Sequence, residues 1–169
     1  MKVQDVMTKA VRPCAPDADL ATAAMILWDH DCGAAPVVDG AGKVVGVITD
    51  RDICMAVATK LRSPAEITVG EVASGQVHAC RPGDDLAEAL RAMREGRVRR
   101  LPVVDEGGAL QGVLSINDLV LRAGEGGETQ GLTDGEVMST LRAICEHRTE
   151  YLGEGRAQAA AAGGQSGGG

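Results

Sequence analysis

Laid over itself with a shift that carries Val3 onto Val69, the chain matches without a gap. Val6, Val11, Cys14 and Pro16 fall on Val72, Val77, Cys80 and Pro82. Asp19, Leu20, Ala21 and Ala23 fall on Asp85, Leu86, Ala87 and Ala89. The register persists further on, where Pro36-Val37-Val38-Asp39 falls on Pro102-Val103-Val104-Asp105, Gly42 on Gly108, Gly46-Val47 on Gly112-Val113, and Asp52 on Asp118. An internal repeat of this length constrains the fold before any local reading does. Each unit of about 55 residues is too small to bury much surface alone, so two such units are expected to pack face to face.

Each unit carries the same order of local signals. Asp19 and Asp85 suit helix N-caps, and Glu88 completes a capping-box pattern with Asp85. Leu20, Ala23, Ala24 and Leu27, and then Leu86, Ala89, Leu90 and Met93, recur at the spacing of one helical face. A β-branched run ending at Asp39 or Asp105, a Gly-containing turn, and Val44 to Thr49 or Leu110 to Ser115 read as a β-hairpin. A second helix follows from Asp52 or Asp118. The expected fold is therefore α+β: two pseudo-symmetric β-α-β-β-α repeats packed sheet to sheet. The first covers residues 1–59 and the second 69–123, joined by a linker over 60–68 with the breaker pair Ser63-Pro64. Beyond a Gly-rich loop, Thr133 and Glu136 form another capping box, and Val137, Met138, Leu141, Ile144 and Cys145 predict a C-terminal helix within 124–152. That stripe has three candidate mates: the module itself, a second copy, or a target protein. The Gly, Ala, Gln and Ser tail over 153–169 buries too little to order itself.

Composition narrows function. Phe is absent, Trp28 and Tyr151 are the only aromatics, and the formal charge is -7, so nucleic-acid binding by stacking and phosphate neutralisation is not expected. The longest nearly apolar stretch, Leu20 to Trp28, is short of the roughly 20 residues that span a bilayer. The opening Met-Lys-Val-Gln-Asp lacks the apolar core of a secretion signal, and the expectation is a cytoplasmic protein. The five cysteines are odd in number and widely spaced, which fits neither a disulfide framework nor a metal site; small buried hydrophobes are the simpler reading of Cys14, Cys54 and Cys80. His30, His78 and His147 are scattered and no nucleophile has a visible base partner, so an enzyme is not expected.

The junction between the last strand and last helix of each unit holds the best site candidates: Thr49 with Asp52, and Ser115 with Asp118. A hydroxyl at a helix start leaves backbone N–H groups facing outward for phosphate, and an acid one turn later can accept from a ribose diol. The same hydroxyl-x-x-Asp pattern also describes a capping box that only starts a helix. Both readings remain open on the motif alone.

Taken as a whole, the sequence resembles a tandem pair of CBS domains (named after cystathionine β-synthase), the arrangement called a Bateman module. The resemblance rests on Val6-Met7, the two Pro-Val-Val-Asp strands with their glycine turns, and the two Gly-x-x-Thr/Ser-x-x-Asp junctions, and it spans about residues 1 to 123. It implies a regulatory module whose clefts take AMP, ADP, ATP or S-adenosylmethionine, a homodimer, and an unknown protein target. Carried over by position, Thr49 and Ser115 would contact phosphate or ribose, and Asp52 and Asp118 the ribose hydroxyls. Val11, Cys14, Ala35, Pro36, Val77, Cys80, Leu101 and Pro102 are candidates for an aliphatic wall around the adenine. Arg99 and Arg100, in a stretch that faces Gly33 and Ala34 of the first unit, are the expected phosphate ligands. Asp50 beside Thr49 would repel a polyphosphate, so phosphate is expected to bind better around the second unit. The alternatives are a ligand-free structural dimerisation module and, more remotely, a redox or metal sensor working through its cysteines.

Overall fold

The computed structural model describes residues 1–123 and 132–146. The expected loop over 124–131 and the expected disordered tail lie outside the described residues. The first unit contains α1 (Leu20–Asp29), β1 (Ala34–Val38), β2 (Val44–Thr49) and α2 (Asp50–Lys60). The second contains α3 (Leu86–Gly96), β3 (Arg100–Val104), β4 (Leu110–Ser115) and α4 (Ile116–Ala123), and a last helix, α5, runs over Asp134–Cys145.

The repeat holds down to register. β1 pairs antiparallel with β2, from Ala34 opposite Thr49 to Val37 opposite Gly46, with a bulge between Val37 and Val38. β3 and β4 reproduce it, from Arg100 opposite Ser115 to Val103 opposite Gly112, with the bulge between Val103 and Val104. The repeated aspartate of Pro-Val-Val-Asp fastens each turn: Asp39 Oδ1 accepts from the N–H groups of Ala41 and Lys43, both at 2.9 Å, and Asp105 Oδ1 from those of Gly107 and Ala109, both at 2.9 Å. Gly42 and Gly108 occupy the left-handed region at φ 82° and 85°, where a Cβ is strained.

The first strand of each unit contracts to one residue. Cys14 bridges β1 in parallel, its N–H donating to Pro36 and its carbonyl accepting from Val38, both at 2.9 Å. Cys80 does the same on β3. Pro16 and Pro82, two residues on, have no N–H with which to lengthen the ladder.

The helices start largely as their caps dictate. Asp19 Oδ1 accepts from Thr22 N–H at 2.7 Å. At α3, Glu88 reaches back to Asp85 N–H at 3.2 Å, while the Asp85 carboxylate pairs with Lys2 Nζ at 2.9 Å because the chain's N-terminal turn lies over this helix start. α1 buries Leu20, Ala23 and Leu27, and α3 buries Leu86, Ala89, Leu90 and Met93, with Ala24 half-buried.

The units exchange their leading segments. Val3 and Val6 sit in the second unit's core beside Leu90, Leu101 and Leu114, whereas Val69 sits in the first unit's core beside Leu20, Leu27 and Ile48. The exchange obeys the repeat: Val3 N–H donates to Asp84 O and Gln4 N–H to Pro82 O, as Val69 N–H donates to Ala18 O and Gly70 N–H to Pro16 O. Thr8 then pairs with Val113 on β4, and Ser74 with Val47 on β2. Ile67, within the connecting segment, is fully buried in the first core. The hairpin tips touch as well, through Val44 N–H to Gly108 O at 3.1 Å.

α5 packs on α3 and α4. Its inward face is turned from the expected stripe. Val137 is buried and Leu141 and Ile144 partly so, but Met138 and Cys145 are exposed and Thr140 is fully buried. Thr140 fits because its Oγ accepts from Arg94 Nη1 at 3.0 Å and donates to Glu136 O at 2.8 Å. Among the described residues no helix is long and apolar enough to cross a membrane.

Candidate functional site

Thr49 closes β2 and Ser115 closes β4, and each hydroxyl meets the aspartate three residues on. Asp52 Oδ2 accepts from Thr49 N–H at 3.0 Å and from its Oγ–H at 2.6 Å, while Asp52 N–H donates to Thr49 Oγ at 3.1 Å. Asp118 Oδ2 accepts from Ser115 N–H and Oγ–H, both at 2.8 Å, and its N–H donates back at 3.2 Å. Both motifs are thus complete helix caps, the simpler of the two readings open in the sequence. Capping uses one oxygen of each carboxylate; among the described residues Oδ1 of Asp52 and of Asp118 accepts no hydrogen bond from another side chain or backbone group.

Because the leading segments cross, each junction faces residues of the other unit. A first cleft of about 380 Å³ places Thr49, Asp50, Arg51 and Asp52 opposite Ser74, Gln76, His78 and the run Arg97 to Arg100, with Gly33, Ala34, Val47 and, from α5, Ile144 completing it. A second cleft of about 310 Å³ places Ser115, Asn117, Asp118 and Val113 opposite Thr8, Ala10, Val11 and Arg12, with His30, Asp31, Cys32, Ala34 and Arg100. The clefts are images of one another under the repeat: Ser74 stands where Thr8 does, and Arg97 where Asp31 does, both in the left-handed region at φ 49° and 47°.

Their charges differ. Four arginines, Arg51, Arg97, Arg99 and Arg100, line the first cleft against the two carboxylates Asp50 and Asp52. The second has two arginines, Arg12 and Arg100, against Asp31 and Asp118. Arg99 therefore joins Thr49 and Asp52 rather than Ser115 and Asp118, and the cation-rich cleft is the one headed by the first unit's motif. The sequence reading expected phosphate to bind better around the second unit; the arginines it relied on stand mainly in the cleft headed by the first unit's motif, with Arg100 lining both clefts.

The expected adenine wall also changes. Cys14, Ala35, Cys80 and Leu101 are buried in the two cores, 5% exposed or less, and Pro36 and Pro102 are buried in their strands, so all six face packing rather than a cleft. Val77 is half-buried and lines neither cleft. Of the eight only Val11 lines one, the second. The apolar surface of the first cleft comes instead from Val47, Val98 and Ile144. Ser74, Gln76, His78, Arg51, Arg97 and Arg12 were absent from the expected site. The one available hint was the matched hydroxyl pair Thr8 and Ser74, each just ahead of its unit's first bridging cysteine.

Burial pushes the Cys80 thiol up to about 12, with Asp84 adding to the effect, and raises Cys14 likewise, with Cys32 contributing less. At neutral pH both remain protonated and are poor nucleophiles. Iodoacetamide labelling of the native chain is expected to modify exposed Cys54 and Cys145 at least about tenfold faster than Cys14 and Cys80, read by mass spectrometry. Equal rates would show that the cores open readily. Among the described residues no cluster of three or more His, Cys, Asp or Glu is placed to hold a metal ion.

The duplicated units, exchanged lead-ins and two image-related clefts define a tandem-repeat module whose sites are each built by both halves. The CBS domain model matches residues 3–59 and 69–125, and the chain belongs to the CBS domain family. Hypoxic response protein 1 of Mycobacterium tuberculosis is 28% identical over 142 residues, covering 84% of this chain and 92% of that protein. A crystal structure of Hypoxic Response Protein I with two coordinated zinc ions superposes with a TM-score of 0.66 at 29% identity, covering 72% of this chain and 98% of that one. The CBS domain pair of protein MJ0100, in complex with 5-methylthioadenosine and S-adenosyl-L-methionine, superposes with a TM-score of 0.63 at 26% identity, over 72% of this chain and 94% of that one. CBSX2 in complex with AMP gives 0.63 at 28% identity, over 72% and 95%.

Proposed function

We propose that this chain is a cytoplasmic regulatory module that binds a phosphate-bearing adenine nucleotide, AMP, ADP or ATP, in the first cleft and acts through a partner protein. The observation that carries the reading is the gathering of four arginines around Thr49 and Asp52 in a chain whose formal charge is -7. Planar guanidinium groups donate in pairs to phosphate oxygens. Asp52 Oδ1 accepts from the ribose hydroxyls while Oδ2 keeps the helix cap, so capping and ligand binding use different atoms of one side chain. Val47, Val98 and Ile144 supply the apolar face for adenine. Complexes of two solved relatives, one with AMP and one with adenosyl compounds, support an adenosine ligand. The charge in the first cleft favours a nucleotide phosphate over the sulfonium cation of S-adenosylmethionine.

A thermal-shift panel of AMP, ADP, ATP and S-adenosylmethionine tests this. A nucleotide present at about a hundred times its dissociation constant adds about 2.7 kcal/mol to the unfolding free energy. The expected result is a concentration-dependent rise in Tm with the phosphate-bearing ligands and a smaller one with S-adenosylmethionine. A flat response to all four would favour the structural module whose motifs serve only as caps.

A further inference from the structure

Granted the nucleotide reading of the first cleft, on which this rests, we propose that Arg100 is shared by the two clefts, so that nucleotide in the first draws its guanidinium away and weakens binding in the second. Among the described residues only Ala34 and Arg100 line both clefts. They are images of one another under the repeat. Each opens the first hairpin strand of its unit, Ala34 opposite Thr49 and Arg100 opposite Ser115. The clefts therefore meet over these two strand starts, where the first unit supplies only a methyl group and the second a guanidinium on a long, flexible stem.

Arg100 is half-buried, and no carboxylate holds its side chain in place: the ion pairs among the described residues are Lys2 with Asp85, Arg62 with Glu71, and Arg97 with Glu146. Its backbone is fixed by the ladder to β4, and the neighbouring Arg99 carbonyl accepts from Ile116 N–H at 2.9 Å, so the choice between clefts lies with the side chain alone. The charges show what that choice decides. Without Arg100 the first cleft keeps Arg51, Arg97 and Arg99 against Asp50 and Asp52, still a net cation. The second keeps Arg12 against Asp31 and Asp118, a net anion that disfavours phosphate. A phosphate in the first cleft draws Arg100 to itself, because the fork of a guanidinium pairs in its bidentate mode with one phosphate at a time. The second cleft then reverts to its negative balance as the first fills, and the coupling is reciprocal. The consequence is a module whose two clefts fill at nucleotide concentrations further apart than their own charges require.

Calorimetric titration of AMP tests the sharing in the full chain as wild type, as Arg100→Ala, as Asp52→Asn with Arg99→Ala, and as the triple variant. Alanine suits this point of the hairpin, since Ala34 holds the same register position in the first unit. Wild type is expected to bind in two steps. Arg100→Ala should weaken the tighter step about tenfold and leave the weaker within about twofold, because the second phosphate already binds without Arg100 in wild type. Asp52→Asn with Arg99→Ala disables the first cleft and releases Arg100. The second cleft should then take AMP about tenfold more tightly than in the weaker wild-type step, and adding Arg100→Ala should cancel that gain. The sharing is overturned if Arg100→Ala leaves the tighter step unchanged, or weakens both steps alike as a guanidinium bridging two phosphates would. It is also overturned if disabling the first cleft leaves the second unchanged, or if wild type takes only one AMP. In each of those cases a tight step lost with Asp52→Asn and Arg99→Ala still upholds nucleotide in the first cleft, whereas wild type that takes up no AMP overturns both.

Discussion

Replacing Gly112 with alanine is expected to lower the unfolding free energy by about 1–3 kcal/mol, as forced overpacking does. A Cβ at Gly112 would lie 2.6 Å from the carbonyl oxygen of Thr8, a backbone atom held in a two-way pairing with Val113 at 2.9 Å in each direction. Neither strand can yield without breaking the contact through which the first unit's lead-in grips the second unit. Gly46 is the image position, where the Cβ would stand 2.9 Å from Ser74 O, so Gly46→Ala is expected to be destabilising but milder. Gly75→Ala, where the added Cβ meets nothing within 4 Å, serves as the control and should stay within about 0.5 kcal/mol of wild type. Urea titration of the three variants measures the series. A Gly112→Ala midpoint equal to that of Gly75→Ala would mean that the lead-ins are not exchanged as described.

The second large effect concerns the arginine cleft. Arg99→Ala is expected to weaken AMP binding about tenfold, since a hydrogen bond to a charged group contributes about 1.5–3 kcal/mol and part of that is screened at an exposed side chain. The loss should shrink as salt rises. Arg12→Ala, in the charge-balanced second cleft, should leave AMP affinity within about twofold at matched ionic strength. The pair separates specific phosphate contact from a general loss of positive charge, because each variant removes one arginine from the same acidic chain.

Much of this architecture was legible in the residues. Hairpin strands Val44–Thr49 and Leu110–Ser115 have the bounds read from the sequence, and the helical faces of α1 and α3 follow their periodicity. The repeated glycines and aspartates each have a local reason, in a turn, a helix start or a close approach. What stayed hidden is which unit each lead-in packs against. A shifted self-match is blind to exchange, because Val3 beside Asp84 and Val3 beside Ala18 satisfy the same periodicity. That blindness hid where the arginines stand: Arg97 and Arg99 belong to the second repeat by sequence but line the cleft of the first unit's Thr49 and Asp52, while Arg100 lines both clefts. Cys14 and Cys80 entered the expected adenine wall only as candidates that the family resemblance implied. Their bridging backbone turns the side chains into the cores. Thr140 lay within an apolar stripe where periodicity alone could not show that Arg94 would satisfy it.

Calorimetric titration of AMP into wild type, Asp52→Asn and Asp118→Asn addresses the location of the nucleotide most directly. Asparagine keeps an acceptor for each helix cap and removes the charge that would bind a ribose diol. Nucleotide held beneath Thr49 among the four arginines predicts about a tenfold loss for Asp52→Asn and at most about a twofold change for Asp118→Asn. Affinity that falls further in Asp118→Asn than in Asp52→Asn, or that is untouched in both, would contradict it.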